Sequence, residues 1–391
     1  MQNDFFKKGV QEIISESNLK ERMKGKKLRI KYGVDPTRSD IHLGHSVILW
    51  KLKELQDAGH KIIFLIGDFT AKIGDPSGRN TTRPILSDTE IKQNAKTYFE
   101  QVGKILDVKK TEIRYNSEWF SKMRYSDLLS NVRMFTLASI IDRDDFKKRL
   151  QKGIDIGLQE IFYPVMQAYD SVMLRADVEI GGSDQRFNML AGRDLQKKIG
   201  QTPQEIIITK LLVGLDGKTK MSKSAGNYIG ITESAKEMFG KIMSLPDSLI
   251  LDYFELCTQK TLSEIEQIKK ALKKENPRNI KMRLAKEIVS LYHEKQAAGK
   301  ESQEFTRVFS KKEIPKYLPK IKIGTKNASL LQILKKCLPI KSNSELRRLI
   351  EQKAVEIDNK IISDINAKIT FTKKGLIIKV GKKDWFFVTQ S

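Results

Sequence analysis

The chain has 391 residues, 39% of them hydrophobic, with 72 Lys+Arg against 48 Asp+Glu, a formal net charge of +24 and a pI near 9.7. That length allows more than one domain, and so large a basic excess points to a polyanionic partner. Cys257, Cys337 and four histidines form no Cys-x-x-Cys or His cluster, which argues against a metal centre and for a reducing compartment.

The start, Met1-Gln2-Asn3-Asp4-Phe5-Phe6, carries an acid and lacks the apolar core of a signal peptide. Leu28 to Val34 reads as a strand entering a turn at Asp35-Pro36-Thr37. Ser39 or Asp40 is expected to cap a helix whose apolar face includes Leu43, Val47, Trp50 and Leu55. Lys61 to Ile66 is a second strand. Its apolar run is the longest in the chain, far below the ~20 residues needed to cross a bilayer, so a soluble cytoplasmic protein is expected. Strand, helix and strand joined by short connections imply a parallel sheet.

A glycine-bearing loop, Gly74-Asp75-Pro76-Ser77-Gly78, follows, and residues from about 84 to 160 read as a helical insertion. Alternation resumes with a strand at Asp177 to Ile180, a Gly181-Gly182 turn, a helix capped by Asp184 and running to about Lys198, and a strand at Glu205 to Thr209. Beyond 231 the pattern is helical. Ser263 with Glu266 is expected to form a capping box, and Asn276-Pro277 to open a helix carrying Ile280, Leu284, Ile288 and Leu291. Residues 310 to 328 read as a linker. From about 329, two short helices precede strand-like segments at Val355–Asp358, Ile361-Ile362 and Leu376–Val380. Residues 326–391 hold 14 Lys+Arg against 6 Asp+Glu, a net of +8.

Two short segments carry the chemistry. His42-Leu43-Gly44-His45 places two imidazoles at i and i+3 on a helix start, where free N–H groups and the helix dipole favour phosphate. Lys220-Met221-Ser222-Lys223-Ser224 puts two cations on flexible stems in a loop flanked by Gly214, Gly217 and Gly226. Such cations stabilise charge that develops on phosphate oxygens as pyrophosphate leaves. As an ordered pair these are the two signature segments of class I aminoacyl-tRNA synthetases, which the chain resembles.

Within that class the chain resembles the tyrosyl-tRNA synthetases, in the bacterial branch that keeps Lys-Met-Ser-Lys-Ser intact. The residues that carry this are Tyr163, Gln167 and Asp170, at i, i+4 and i+7 on one helix face, together with Asp35-Pro36-Thr37, Gly74–Gly78 and Gly181-Gly182-Ser183-Asp184-Gln185. The resemblance implies that Asp75, Tyr163 and Gln167 hold the tyrosine ammonium, Asp170 its phenol, and Gln185 its carboxyl or carbonyl group. It implies ATP contacts from Asp35, Thr37, Gly44, Gly182, Asp184, Met221, Ser222 and Ser224. His42, His45, Lys220, Lys223, Arg79 and Arg83 would act on the phosphates.

The tail is similar to the S4 type of RNA-binding domain, with Arg347, Arg348 and Lys353 on its RNA-facing surface. One departure stands out: the other bacterial branch has a phenol-binding tyrosine where this chain has Lys31, with Tyr32 next to it. Lys31 and Tyr32 both stay open as the partner of Asp170 at the phenol.

The fold expected is α/β. Residues 1–230 would form a doubly wound, Rossmann-like parallel-sheet nucleotide-binding domain with the insertion at about 84–160. An all-helical anticodon-region domain would follow at 231–320 and a small α+β S4-like RNA-binding domain at 329–391. The implied activity is ATP-dependent attachment of L-tyrosine to tRNA(Tyr) through a tyrosyl-adenylate. Mg²⁺ is expected to arrive with ATP rather than in a protein metal site, and a homodimer is expected to be built through the insertion. A tryptophan–tRNA ligase and a catalytically idle RNA-binding relative are the rival readings.

Overall fold

The computed structural model describes residues 2–37, 40–77, 86–310, 313–315, 318–371, 374–381 and 384–390. Arg79 and Arg83 therefore lie outside the described residues, as does Ser39. The chain divides into two compact units, residues 1–302 and 303–391. Among the described residues no helix is long and apolar enough to cross a membrane.

In the first unit the described residues form one six-stranded sheet: β1 (Val10–Ile14), β2 (Arg29–Val34), β3 (Lys61–Ile66), β4 (Glu112–Tyr115), β5 (Val178–Gly182) and β6 (Glu205–Thr209), in the order β1-β6-β5-β2-β3-β4. All neighbouring pairs are parallel except β1 with β6. The central strands are apolar runs buried on both faces, as a parallel sheet covered by helices requires. The chain winds from β2 outward through β3 and β4, then returns to β5 and β6 on the other side of β2. The order therefore reverses between β2 and β5. At such a point the two crossovers diverge and leave a crevice beyond the strands' carboxyl ends.

Several expectations are corrected. β4 sits inside the stretch read as purely helical, so the sheet continues there before the helices of residues 117–151. Only four residues long and half polar, β4 lacks the apolar run that marks the inner strands. Residue 40 is not the cap of the Leu43–Asp57 helix: His42 is, its Nδ1 accepting from the Gly44 amide. The helix after β5 begins at Arg186, with Gln185 at its cap, and Asp184 faces the cleft instead. The capping box expected at Ser263 is formed two residues earlier, by Thr261 and Glu264. Asn276-Pro277 does open its helix, with Ile280, Leu284 and Ile288 buried.

In the second unit the strands Lys360–Ile361, Val355–Ile357, Leu376–Val380, Asp384–Gln390 and Lys320–Ile323 form a sheet in that order. Helices Leu330–Cys337 and Asn343–Glu351 bury Leu330, Ile333, Leu334, Leu346 and Ile350 against it. Asp358 and Asn359, at φ 44° and 66°, make the tight turn that joins its first two strands. Lys320–Ile323 lies in the segment read as a linker; it pairs in parallel with Asp384–Gln390, a partner more than sixty positions later that no local pattern announces.

Candidate active site

The crevice at the β2/β5 reversal is a cleft of about 450 Å³. Seventeen residues that the resemblance assigns to the site line it: Asp35, Thr37, His42, Gly44, His45, Asp75, Tyr163, Gln167, Asp170, Gly182, Asp184, Gln185, Lys220, Met221, Ser222, Lys223 and Ser224. Arg347, Arg348 and Lys353 belong to the second unit, where all three are exposed.

One end of the cleft is built for anions. The His42 and His45 rings stack with centroids 3.9 Å apart. The Nδ1 of His42 accepts from the Gly44 amide at 3.2 Å and that of His45 from the His42 amide at 3.3 Å. An imidazole that accepts at Nδ1 and is neutral carries its proton on Nε2. Both rings are neutral: burial, then the neighbouring His45, Lys223 and Lys220, push His42 down to about 2. Burial and the same two lysines push His45 down to about 4. Gly44 is required for closeness, since a Cβ there would meet the His42 ring at 3.0 Å.

The lysine loop is held by buried Asn227, whose Oδ1 accepts from the Ser222 amide at 2.8 Å and whose Nδ2 donates to Asp216 at 2.9 Å. It delivers Lys223 Nζ to Asp40 at 2.5 Å and Lys220 Nζ to Asp184 at 2.8 Å. Each cation thus faces a carboxylate.

The other end is deeper and closed by the Leu158–Met173 helix. Tyr163 donates its hydroxyl to Asp35 Oδ2 at 2.9 Å. Asp170, 3% exposed, accepts from the Trp119 indole at 2.9 Å and from Asn116 Nδ2 at 3.4 Å. Burial raises its pKa to about 7, against the pull of Lys31 and of those two hydrogen bonds. Lys31 directs its three N–H bonds elsewhere, to Gln167 O at 3.1 Å, Ser171 Oγ at 2.7 Å and Glu179 Oε1 at 2.9 Å. Tyr32 packs edge-on against Phe64. The side chains bonded to Asp170 are thus Trp119 and Asn116.

The raised Asp170 pKa fixes a pH dependence of stability. Between pH 4 and 7 the unfolded chain releases this proton while the folded chain keeps it, so the Asp170 contribution falls as pH rises through that window. Asp170→Asn is expected to be more stable than the parent at pH 8, by on the order of 4 kcal/mol, with the difference vanishing towards pH 4. Paired denaturant titrations across that range measure it; a difference independent of pH contradicts the assignment.

Sequence reasoning missed the groups that support this end: Asn116 and Trp119 just after β4, Arg143, Ser171, Glu179 and Asn188. Glu179 left a signal, a carboxylate between Val178 and Ile180 in an apolar strand. In the fold it stands beside Lys31 across β5 and β2 and accepts from Lys31, Gln167, Ser171 and Gln204. A buried charge pair is tolerated only when its polar atoms are satisfied in this way.

A family model described as class I tRNA synthetases (W and Y) matches residues 23–310. The chain is 48% identical to the tyrosine--tRNA ligase of Carboxydothermus hydrogenoformans, over 98% of this chain and 96% of that one. It is 46% identical to that of Thermotoga maritima over the same shares. Its fold matches the structure of tyrosyl-tRNA synthetase from Archaeoglobus fulgidus complexed with L-tyrosine, with a TM-score of 0.62 at 26% identity, covering 76% of this chain and 98% of that one. A C-terminally truncated Aspergillus nidulans mitochondrial tyrosyl-tRNA synthetase shares the fold, with a TM-score of 0.64 at 23% identity over 77% and 92%. The chain belongs to the class I tRNA synthetases of the tryptophan and tyrosine group, within the bacterial tyrosine--tRNA ligases.

Proposed function

We propose that the chain attaches L-tyrosine to tRNA(Tyr) with ATP, through a tyrosyl-adenylate. The observation that carries the choice of amino acid is Asp170: a buried carboxylate, braced by Trp119 and Asn116, at the closed end of the cleft. Such an acceptor suits a phenol hydroxyl and disfavours a phenyl ring, which brings it no donor.

In the first step the tyrosine carboxylate attacks the α-phosphorus of ATP and pyrophosphate leaves. Asp75, Tyr163, Gln167 and Gln185 hold the amino acid. Gly44, Gly182, Asp184 and Met221 form the bed for the nucleoside, with Asp35, Thr37, Ser222 and Ser224 beside the phosphates. His42, His45, Lys220 and Lys223, with Arg79 and Arg83, stabilise the charge that develops there. ATP must displace Asp40 and Asp184 from the two lysines, so those cations engage only once phosphate is present. Mg²⁺ enters as part of the ATP substrate. In the second step the terminal ribose hydroxyl of the tRNA attacks the adenylate carbonyl.

Residues 1–230, with the insertion, form the catalytic domain in this reading, and the helices from 231 to 302 the anticodon-region domain. The second unit, which includes the Lys320–Ile323 strand, is the S4-like tail that grips RNA phosphates through Arg347, Arg348 and Lys353. The enzyme works in the cytoplasm as a homodimer. Exposed Tyr125, Leu129, Leu137, Leu150 and Leu158, all in the insertion, supply apolar surface for that contact.

The test is ATP–pyrophosphate exchange with each amino acid in turn. Tyrosine is expected to drive exchange at least ~10²-fold faster than tryptophan or phenylalanine at equal concentration. Equal rates with tryptophan would favour the rival ligase, and no exchange with any amino acid the idle RNA-binding protein.

A further inference from the structure

Two side-chain amides, Gln167 and Gln185, line the amino-acid site, each able to present either its oxygen or its NH₂ to a substrate, and a third, Asn188, is buried behind them. Charged neighbours remove that freedom. Arg143 only donates, and its Nη1 lies 3.0 Å from Asn188 Oδ1, so the Asn188 oxygen must face the guanidinium. Its Nδ2 then points the other way, 3.0 Å from Gln167 Oε1, 3.1 Å from Gln185 Oε1 and 3.2 Å from Ser77 Oγ.

The far ends agree. Glu179, a carboxylate, can only accept, and it takes Gln167 Nε2 at 3.2 Å. Asp75 takes Gln185 Nε2 at 2.7 Å. Arg143 is fixed in turn by Asp145 at 2.9 Å and by Ser77 Oγ at 2.9 Å, and stacks over Phe146 and Phe187. Asn188 is fully buried and Arg143 is 5% exposed.

We infer that Asn188, held by Arg143, is a positioning residue that fixes the Gln167 oxygen for the substrate ammonium. The inference rests on the tyrosine-ligase reading and deepens it. Gln167 and Asp75 both line the cleft, and an amide oxygen with a carboxylate suits a cation of ammonium size. Arg143 comes from the insertion, between the helices Leu137–Ile141 and Asp144–Gln151. The insertion therefore reaches the amino-acid site through Arg143 as well as through Asn116 and Trp119 at Asp170.

The test separates this role from simple packing by pairing each variant with two ligands. Tyrosinol keeps the ammonium and lacks the carboxylate; 3-(4-hydroxyphenyl)propionate lacks the ammonium. Asn188→Ala in the full chain is expected to weaken tyrosinol binding ~10-fold or more while leaving the propionate within about twofold, both read by calorimetry. Equal weakening of both ligands, or of neither, overturns the inference.

A second pair of variants guards against a misfolded Asn188→Ala. Lys, like Arg, only donates, so Arg143→Lys should hold Asn188 and bind tyrosinol within about threefold of the parent, whereas Arg143→Gln can present either end and should lose ~10-fold. Indistinguishable Lys and Gln variants also overturn it. A parent chain that binds neither ligand removes the tyrosine reading itself; a parent that binds both, with variants that fail these patterns, removes only the positioning role.

Discussion

Asp170→Ala is expected to lower tyrosine-dependent ATP–pyrophosphate exchange by ~10²–10³-fold in kcat/KM while ATP affinity stays near that of the parent. The direction follows from the geometry. The variant removes the acceptor proposed for the substrate phenol and leaves the Trp119 indole N–H without its partner in a closed, low-dielectric end of the cleft, while Asn116 keeps its bond to Thr70. The ATP end, built from the two histidines and the lysine loop, is untouched. A second number is more telling than the first. The parent should discriminate strongly against phenylalanine, because its ring brings no donor to the buried carboxylate and shuts out water that could supply one. In the variant that penalty disappears, so the ratio of tyrosine to phenylalanine exchange should collapse towards ~10 or below. The ratio is insensitive to how much protein folds, since both rates come from the same sample. A variant that keeps the parent's ratio would mean that the hydroxyl is recognised elsewhere.

The parts of this site that could be read in advance share a property: their meaning is local. A histidine pair on a helix start, a lysine string between glycines, and three polar residues on one helix face each declare themselves within a few positions. The strands at Lys61–Ile66 and Glu205–Thr209 did so too, because apolar runs between turns are unambiguous. What stayed hidden is set by the fold. Val10–Ile14 and Glu112–Tyr115 are edge strands with polar residues mixed in, and only their partners make them strands. The side chains bonded to Asp170 come from just beyond one of those strands, some fifty positions away. Arg143 meets Asn188 across 45 positions in a contact that no period predicts. His42 was read as a ligand for phosphate and is also the helix cap, a place where Ser, Thr, Asp and Asn are usual, so Asp40 was the natural guess.

Deleting residues 311–391 should leave tyrosine-dependent exchange within about threefold of the parent and reduce aminoacylation at subsaturating tRNA by ~10²-fold or more. The cut follows from the structure. A boundary near 325, natural if 310–328 were a linker, would strand Lys320–Ile323 away from Asp384–Gln390, its sheet partner. A cut after 310 keeps the Lys295–Phe305 helix whole, with Ala298 and Ser302 still buried in the first unit. Every described cleft residue lies in that unit. The deleted segment carries 19 Lys+Arg against 7 Asp+Glu, a net of +12, which is half of the chain's +24. Contacts between these side chains and RNA phosphates release counterions, so their loss should also flatten the salt dependence of tRNA binding. Exchange consumes no tRNA, which separates the two effects on one sample. Aminoacylation that survives at the parent's rate would show that tRNA is held by the first unit alone. Exchange that collapses in a truncated protein with an unchanged melting temperature would show that the second unit takes part in adenylate formation.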